Sequence, residues 1–223
     1  MYRYVVFDMD GTILDTLTDV TNSLNWALQK HGLPMRTQDE VRHMVGNGVQ
    51  HLVESAVPKG TPNDVVAAVL VDNKAHYTAH CNDTTQPYPG IMELLRHLKD
   101  ADVKLAVVSN KPDNAVQDLV RDVFKGIFDV ALGQTDSIPR KPHPEMVHLA
   151  LERLTDDVST HESAVEKAVY IGDSEVDIQT ATNAHLPVLL VLWGFRTKEE
   201  LEEAGGQTFF SDTQELERTL LGD

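Results

Sequence analysis

Two aspartates, Asp8 and Asp10, follow directly on the apolar run Tyr4-Val5-Val6-Phe7. Carboxylates one residue apart repel each other and cannot both be buried without compensation. Three more polar clusters also follow apolar runs. Ser109-Asn110-Lys111 comes after VKLAVV, and Arg140-Lys141-Pro142-His143-Pro144 lies in the loop after FDVAL. Asp173-Ser174, with Asp177 four residues beyond Asp173, comes after AVYIG. As one site these residues make a coherent chemistry. Asp8, Asp10 and Asp173 offer hard oxygen ligands of the kind Mg2+ takes together with waters and a phosphate. One carboxylate can attack phosphorus to give an aspartyl phosphate. Its neighbour can protonate the leaving oxygen and then deprotonate water. Ser109 adds a hydroxyl donor, and Lys141 a compact positive charge opposite the transferring group.

Each cluster also has a plainer explanation. Asp8 to Thr12 fits an Asx-type turn, and Ser109-Asn110 a helix N-cap. Lys141 fits a solvated loop lysine, Asp173-Ser174 an ordinary strand-to-helix turn, and Asp177 a first-turn acid. Four such coincidences, each at a strand end, are far less probable than one site. In open α/β sheets, ligands bind outside the carboxyl ends of the strands.

The elements that must position these residues follow from periodicity. Strands are expected at 4–8, 103–109, 128–132, 168–172 and 187–193, with Phe209-Phe210 as a last edge strand. Helices are expected at about 90–100, 113–124, 144–154 and 175–184. Continuous apolar strands alternating with helices predict a doubly wound, Rossmann-like parallel sheet covered on both faces. Residues 16–81 read instead as helices without a strand. Leu17, Val20, Leu24, Ala27 and Leu28 fall at helical spacing, and Thr37 to Glu40 has capping-box spacing. Thr61-Pro62 reads as an N-cap followed by a first-position proline, ahead of a stripe containing Val65, Val66, Val69, Leu70 and Tyr77. The expected organisation is therefore a core of 1–15 and 82–223 with a helical insertion at 16–81. The glutamate-rich Leu201–Leu220 tail reads as a solvated helical surface.

Nineteen basic and 35 acidic residues give a net charge of −16, which argues against a nucleic-acid or anionic-membrane surface but not against a small phosphorylated ligand. Cys81 is the single cysteine, so no intrachain disulfide forms. With no leader-like or membrane-length segment, a cytoplasmic protein is expected, as monomer or homodimer.

The four clusters resemble the motifs of the haloacid dehalogenase superfamily: FDMDGT the first, VVSN the second, the lysine of RKPHP the third and IGDSEVD the fourth. SNKPDNAV, KPHPE, GDSEVDIQTA and VGNG are most similar to its phosphoglycolate phosphatase-like branch. The resemblance implies that Asp8 is the nucleophile and a Mg2+ ligand. It implies that Asp10 is the general acid/base and gives its backbone carbonyl to the metal. Asp173 would be a further ligand, with Asp177 supporting it from behind or through water. Ser109, Asn110 and Lys141 would bind phosphate. The 16–81 insertion would be a mobile cap hinged at Asp15-Thr16. The dehalogenase branch lacks an acid two residues after its nucleophile, so Asp10 implies a phosphotransferase: an alkoxide leaving group needs a proton and a halide does not.

The substrate is expected to be a small phosphorylated metabolite, with phosphoglycolate leading. A pyrophosphatase, nucleotidase or sugar-phosphate mutase on the same scaffold is the enzymatic alternative, and a phosphometabolite-binding module the non-enzymatic one. Gly46-Asn47-Gly48 resembles a substrate-facing cap loop and equally fits a turn. Arg42, His43, Gln50 and His51 beside it fit either substrate contacts or a solvated face. His143 and Trp193-Phe195 are expected to be structural.

Overall fold

The computed structural model describes residues 1–155 and 164–222. Strand β1 (Tyr4–Phe7) passes through β2 (Leu14–Asp15) into four helices, α1 (Leu17–Lys30), α2 (Gln38–Met44), α3 (Gly48–Ala56) and α4 (Asn63–His80). The short strand β3 (Gln86–Pro87) is followed by α5 (Ile91–Asp100), β4 (Lys104–Pro112), α6 (Asp113–Leu119) and β5 (Val130–Gln134). Then come α7 (Glu145–Leu154), β6 (Ala168–Gly172), α8 (Glu175–Asn183) and β7 (Val188–Val191). The chain closes with α9 (Lys198–Glu203), β8 (Phe209–Phe210) and α10 (Thr213–Leu221).

Six strands form one parallel sheet in the order β5-β4-β1-β6-β7-β8. β1 is central, pairing Val5 with Leu105 on one side and Val169 on the other. Its run of apolar residues follows from that position, because both faces are covered. Val5 and Phe7 face a core with Leu94, Leu98, Val107 and Leu216, whereas Val6 faces one with Val147, Ala150, Leu151 and Tyr170. After β1 the chain builds outward through β4 and β5, then crosses back to build β6, β7 and β8 on the other side. The direction reverses at β1, so the carboxyl ends of β4, β1 and β6 border the crevice where such sheets bind ligands.

The helices α1 to α4 bury Leu24, Leu28, Val41, Val53 and Val69 among themselves, and Ala115 and Phe195 from the sheet body join that cluster. Chain enters and leaves this block through β2 and β3, which pair antiparallel as Leu14 with Pro87 and Asp15 with Gln86. Just beyond that pair Asp19 is buried and accepts hydrogen bonds from the backbone N–H and hydroxyl groups of Thr84 and Thr85 at 2.6–3.1 Å. Burial alone would raise its carboxyl, but those donors outweigh it and hold the carboxyl below its ordinary value. Asp19→Asn is expected to cost about 2 kcal/mol at neutral pH, since hydrogen bonds to a charged group are lost. A depressed native pKa gives stability that is complete above the unfolded value of about 3.9 and lost as pH falls through the native one. The gap between wild type and variant in urea denaturation should therefore close on acidification. A gap unchanged at about pH 2 would show that the carboxylate is not its source.

Local expectations fail where tertiary packing intervenes. Thr61 does not cap α4; its hydroxyl donates to the Pro58 carbonyl at 2.7 Å, and the helix starts at Asn63 after Pro62. The 113–124 helix ends at Leu119 and widens into a π-type turn over Val120–Phe124. The last long strand ends at Val191, before Leu192 and Trp193. The acidic tail is two helices split by the β8 edge, and it buries Leu201, Leu216 and Leu220 rather than lying fully solvated. The capping box at Thr37 and Glu40 forms with both hydrogen bonds present.

Candidate active site

Asp8 follows the last residue of β1, where its N–H donates to the Ile171 carbonyl at 2.8 Å. Gly11 then takes the left-handed region at φ 86°, and a Cβ there would stand 2.3 Å from Asp173 Oδ2. A Cβ on Gly194 would lie 2.4 Å from Asp173 Cβ. The Asp173 carboxylate therefore sits between two backbones that only glycine lets come so close. It accepts from the Thr12 hydroxyl at 2.9 Å and from the Phe195 N–H at 2.7 Å.

Beneath these acids lies a buried ion network. Lys141, 2% exposed, places Nζ 2.7 Å from Asp8 Oδ1, 3.0 Å from Asp177 Oδ1 and 2.9 Å from the Tyr170 hydroxyl. Its three N–H donors are thereby committed, so toward a ligand it can offer charge but no further hydrogen bond, and it fixes Asp8 in place. The Tyr170 hydroxyl donates to Asp177 Oδ1 at 3.0 Å. Asp177 Oδ2 accepts from the N–H groups of Asp173 and Ser174, both at 3.1 Å, and from the Ser174 hydroxyl at 2.6 Å. Burial opposes charge on Asp177, but Lys141 and these donors prevail and hold its carboxyl below the ordinary value. Burial pushes Asp8 well above that value, reinforced by Asp177, and pushes Asp173 to about 7.

Carboxylate oxygens of Asp8, Asp173 and Asp177 lie within 4.8 Å of one another. Three buried acids so close together, with one lysine among them, fit a divalent cation, which would offset their mutual repulsion. Asp177 already accepts five hydrogen bonds, leaving Asp8 and Asp173 as the better donors and Asp177 as the group that orients them.

The carboxyl end of β4 supplies the second half of the site. Ser109 Oγ accepts from the Lys111 N–H at 3.2 Å, which leaves its own proton for a ligand. Asn110 is occupied differently from the phosphate-binding role its motif implies. Its amide donates to the carbonyls of Gly46 and Lys141 at 2.9 and 3.0 Å and accepts from the Lys141 N–H at 2.8 Å. It ties the α2–α3 loop and the lysine loop to β4, with no side-chain N–H left over for phosphate.

Asp8, Asp10, Ser109, Asn110, Lys141 and Asp173 all line one cavity of about 80 Å3 under the helical block. Of the loop residues, Gly46 and Gly48 line it and Asn47 does not. Arg42, His43, Gln50 and His51 stay outside, with neighbours such as Glu200 at 3.3 Å from His43 and Glu54 at 2.8 Å from Gln50. His143 Nδ1 accepts from the Glu145 N–H at 3.3 Å. The Trp193 indole N–H donates to the Thr12 carbonyl at 3.0 Å, bracing the turn after Asp8.

Sequence reading passes over several residues that the fold brings in. Lys111 pairs with Asp10 at 2.8 Å and donates to the Tyr77 hydroxyl, although Tyr77 reads as part of an apolar stripe. Asn73, one helical turn from Tyr77, is buried against the same cavity. Arg196, buried and paired with Glu175 at 2.8 Å, donates to the Arg42 and Val45 carbonyls of the helical block. The one available signal was the position of Lys111, directly after Ser109-Asn110.

Residues 5–191 match the family model of the haloacid dehalogenase-like hydrolases. A phosphoglycolate phosphatase of Caulobacter vibrioides is 36% identical over 205 residues, covering 90% of this chain and 83% of that protein. Another, from Colwellia psychrerythraea, is 28% identical over 219 residues, covering 95% and 94%. A solved structure from Lactobacillus delbrueckii subsp. bulgaricus, provisionally assigned as a phosphoglycolate phosphatase, superposes with a TM-score of 0.90 at 37% identity, covering 100% of this chain and 99% of that one. The chain belongs to the haloacid dehalogenase-like hydrolase family.

Proposed function

We propose that this chain is a Mg2+-dependent phosphatase that hydrolyses a small phosphorylated metabolite, phosphoglycolate foremost, through an aspartyl phosphate on Asp8. The observation that carries this reading is the pairing of two acids with two separate lysines in one cavity. Asp8 is held by Lys141 at 2.7 Å and Asp10 by Lys111 at 2.8 Å. Equivalent acids would share one environment; these are differentiated, as a nucleophile and a proton carrier need to be. The names of the relatives support phosphoglycolate as the substrate.

In the first step an Asp8 carboxylate oxygen attacks phosphorus as the ester P–O bond breaks, and the leaving oxygen takes a proton from Asp10. In the second, Asp10 takes a proton from water, whose oxygen attacks phosphorus. Phosphate leaves and the Asp8 carboxylate is restored. The Ser109 hydroxyl donates to a phosphoryl oxygen, while Lys141 offsets charge and keeps Asp8 aligned. Asp8, Asp173 and the Asp10 carbonyl would hold Mg2+, with Asp177 behind them. When bound, the ion supplies positive charge between the acids and the phosphoryl dianion.

The segment 16–81 serves as the cap over a core of 1–15 and 82–223, and the β2–β3 crossing is its hinge. Contacts from Asn110 and Arg196 to the α2–α3 region hold it down on the sheet. No helix among the described residues is long and apolar enough to cross a membrane. The lone, buried Cys81 and the acidic surface suit a cytoplasmic enzyme working as monomer or homodimer.

A phosphate-release panel tests the reading, with phosphoglycolate, pyrophosphate, a nucleoside monophosphate and a hexose phosphate as substrates. Phosphoglycolate is expected to be turned over fastest, with activity abolished by chelation and restored by Mg2+. Turnover indifferent to chelation, or hexose phosphate isomerised without phosphate release, would sink it.

A further inference from the structure

The chemistry above leaves a second buried cation without a part to play toward the substrate. Lys111, 6% exposed, reaches the cavity from the carboxyl end of β4. Its ammonium pairs with Asp10 Oδ1 at 2.8 Å, donates to the Tyr77 hydroxyl and lies 4.6 Å from the centroid of the Tyr77 ring. An ammonium has three N–H donors, so one remains. Having accepted from Lys111, the Tyr77 hydroxyl keeps its own proton to donate. Asn73 lies four residues earlier on α4 and so on the same helix face. It is 2% exposed, lines the cavity, and its amide makes no hydrogen bond to any described residue. An amide that borders a cavity and has no protein partner is available to a ligand or water there.

We propose that Lys111, with Tyr77 and Asn73, forms a carboxylate subsite that binds the end of the substrate remote from its phosphoryl group; this rests on the phosphatase reading above. Three unspent donors converge from two elements, one fixed in the sheet and two carried by the helical block. Their ligand must accept hydrogen bonds and carry negative charge. A carboxylate meets both needs. A second phosphate would bring up to two charges to one ammonium already shared with Asp10. A sugar hydroxyl needs no ammonium. Because Lys141 marks the Asp8 end and Lys111 the Asp10 end, one cavity of about 80 Å3 has two positive points for a short molecule with two anionic ends. Two of the donors sit on α4, so the subsite spans the sheet and the helical block.

Phosphoglycolate and ethyl phosphate, which carries a methyl group in place of the carboxylate, separate this role from others. The wild type is expected to prefer phosphoglycolate strongly in kcat/KM. In Lys111→Met the ratio of the two kcat/KM values should fall about 100-fold, mostly through KM for phosphoglycolate, as loss of a buried charge partner predicts. Tyr77→Phe, which keeps the ring and removes one donor, should lower the ratio about tenfold, and Asn73→Ala similarly. Equal losses on both substrates in Lys111→Met would overturn the proposal and show that the lysine serves Asp10 alone. A preference present in wild type and intact in Lys111→Met would overturn it while leaving the phosphoglycolate reading standing. No preference in the wild type would overturn both. Should Lys111→Met fail to fold, the other two variants decide: an unchanged ratio in both rejects the subsite, and a several-fold fall in both supports it.

Discussion

Asp8→Asn is expected to lower turnover by a factor on the order of 10^5 while the protein remains folded, as for loss of a catalytic nucleophile in other covalent mechanisms. An amide at this position keeps the size of the side chain but has no carboxylate oxygen to attack phosphorus. The buried surroundings make the experiment clean. Asp8 lies among Asp173 and Asp177, and burial together with Asp177 disfavours its charge. Removing that charge relieves repulsion, while Lys141 keeps Asp177 as its partner at 3.0 Å. Thermal denaturation should therefore show a Tm equal to or above that of wild type, so lost activity can be assigned to chemistry. Acid-quenched wild-type enzyme, caught during turnover, should carry a phosphoryl adduct by mass spectrometry that Asp8→Asn lacks. Residual activity within about tenfold of wild type would remove Asp8 from the nucleophile's role.

Lys141→Met should do the opposite to stability, costing about 3–5 kcal/mol, because it leaves buried acids without their counter-charge. Asp8, Asp177 and Tyr170 each lose a donor at 2.7–3.0 Å. Activity is expected to fall by roughly 10^3, in the range for removing one preorganised electrostatic stabiliser. Lys141→Arg should not rescue it, since the site is closed around a compact ammonium and a planar fork has other geometry. Urea denaturation and phosphate release measure the two effects independently. A stable but inactive Lys141→Met would mean that the acids find compensation elsewhere, and an unstable but active one would remove the lysine from the chemistry.

Much of this architecture is written locally. The run Val5-Val6-Phe7 is apolar at every position because β1 is covered on both faces by parallel neighbours. A strand so placed announces itself without reference to the rest of the chain. The four polar clusters are legible for a related reason: each follows a strand, and parallel strands bring all their carboxyl ends to one edge. Local signals mislead where a stronger tertiary demand overrides them. Thr61-Pro62 has good capping chemistry, yet the threonine hydroxyl turns back to Pro58. The acidic tail has few apolar residues, but Leu216 and Leu220 fall on one helical face and are drawn into the core with Val5 and Phe7.

The site divides along the same line. The amino-acid pattern alone specifies a parallel sheet and places Asp8, Asp10, Ser109, Lys141 and Asp173 after its strands, hence at one edge, whereas the strand order that spaces them along that edge comes from the fold. What each polar side chain is left free to do depends on packing between distant elements. Asn110 is consumed by backbone partners, and Asp177 by Lys141, Tyr170 and Ser174. Lys111 points at Asp10 and meets Tyr77 from 34 residues away. Arg196 clasps carbonyls 151 and 154 residues distant. Periodicity says which face of an element is apolar, because burial of that face is averaged over many residues. It cannot say which donor finds which acceptor, because a hydrogen bond is decided by a few ångströms between elements whose approach the whole fold sets.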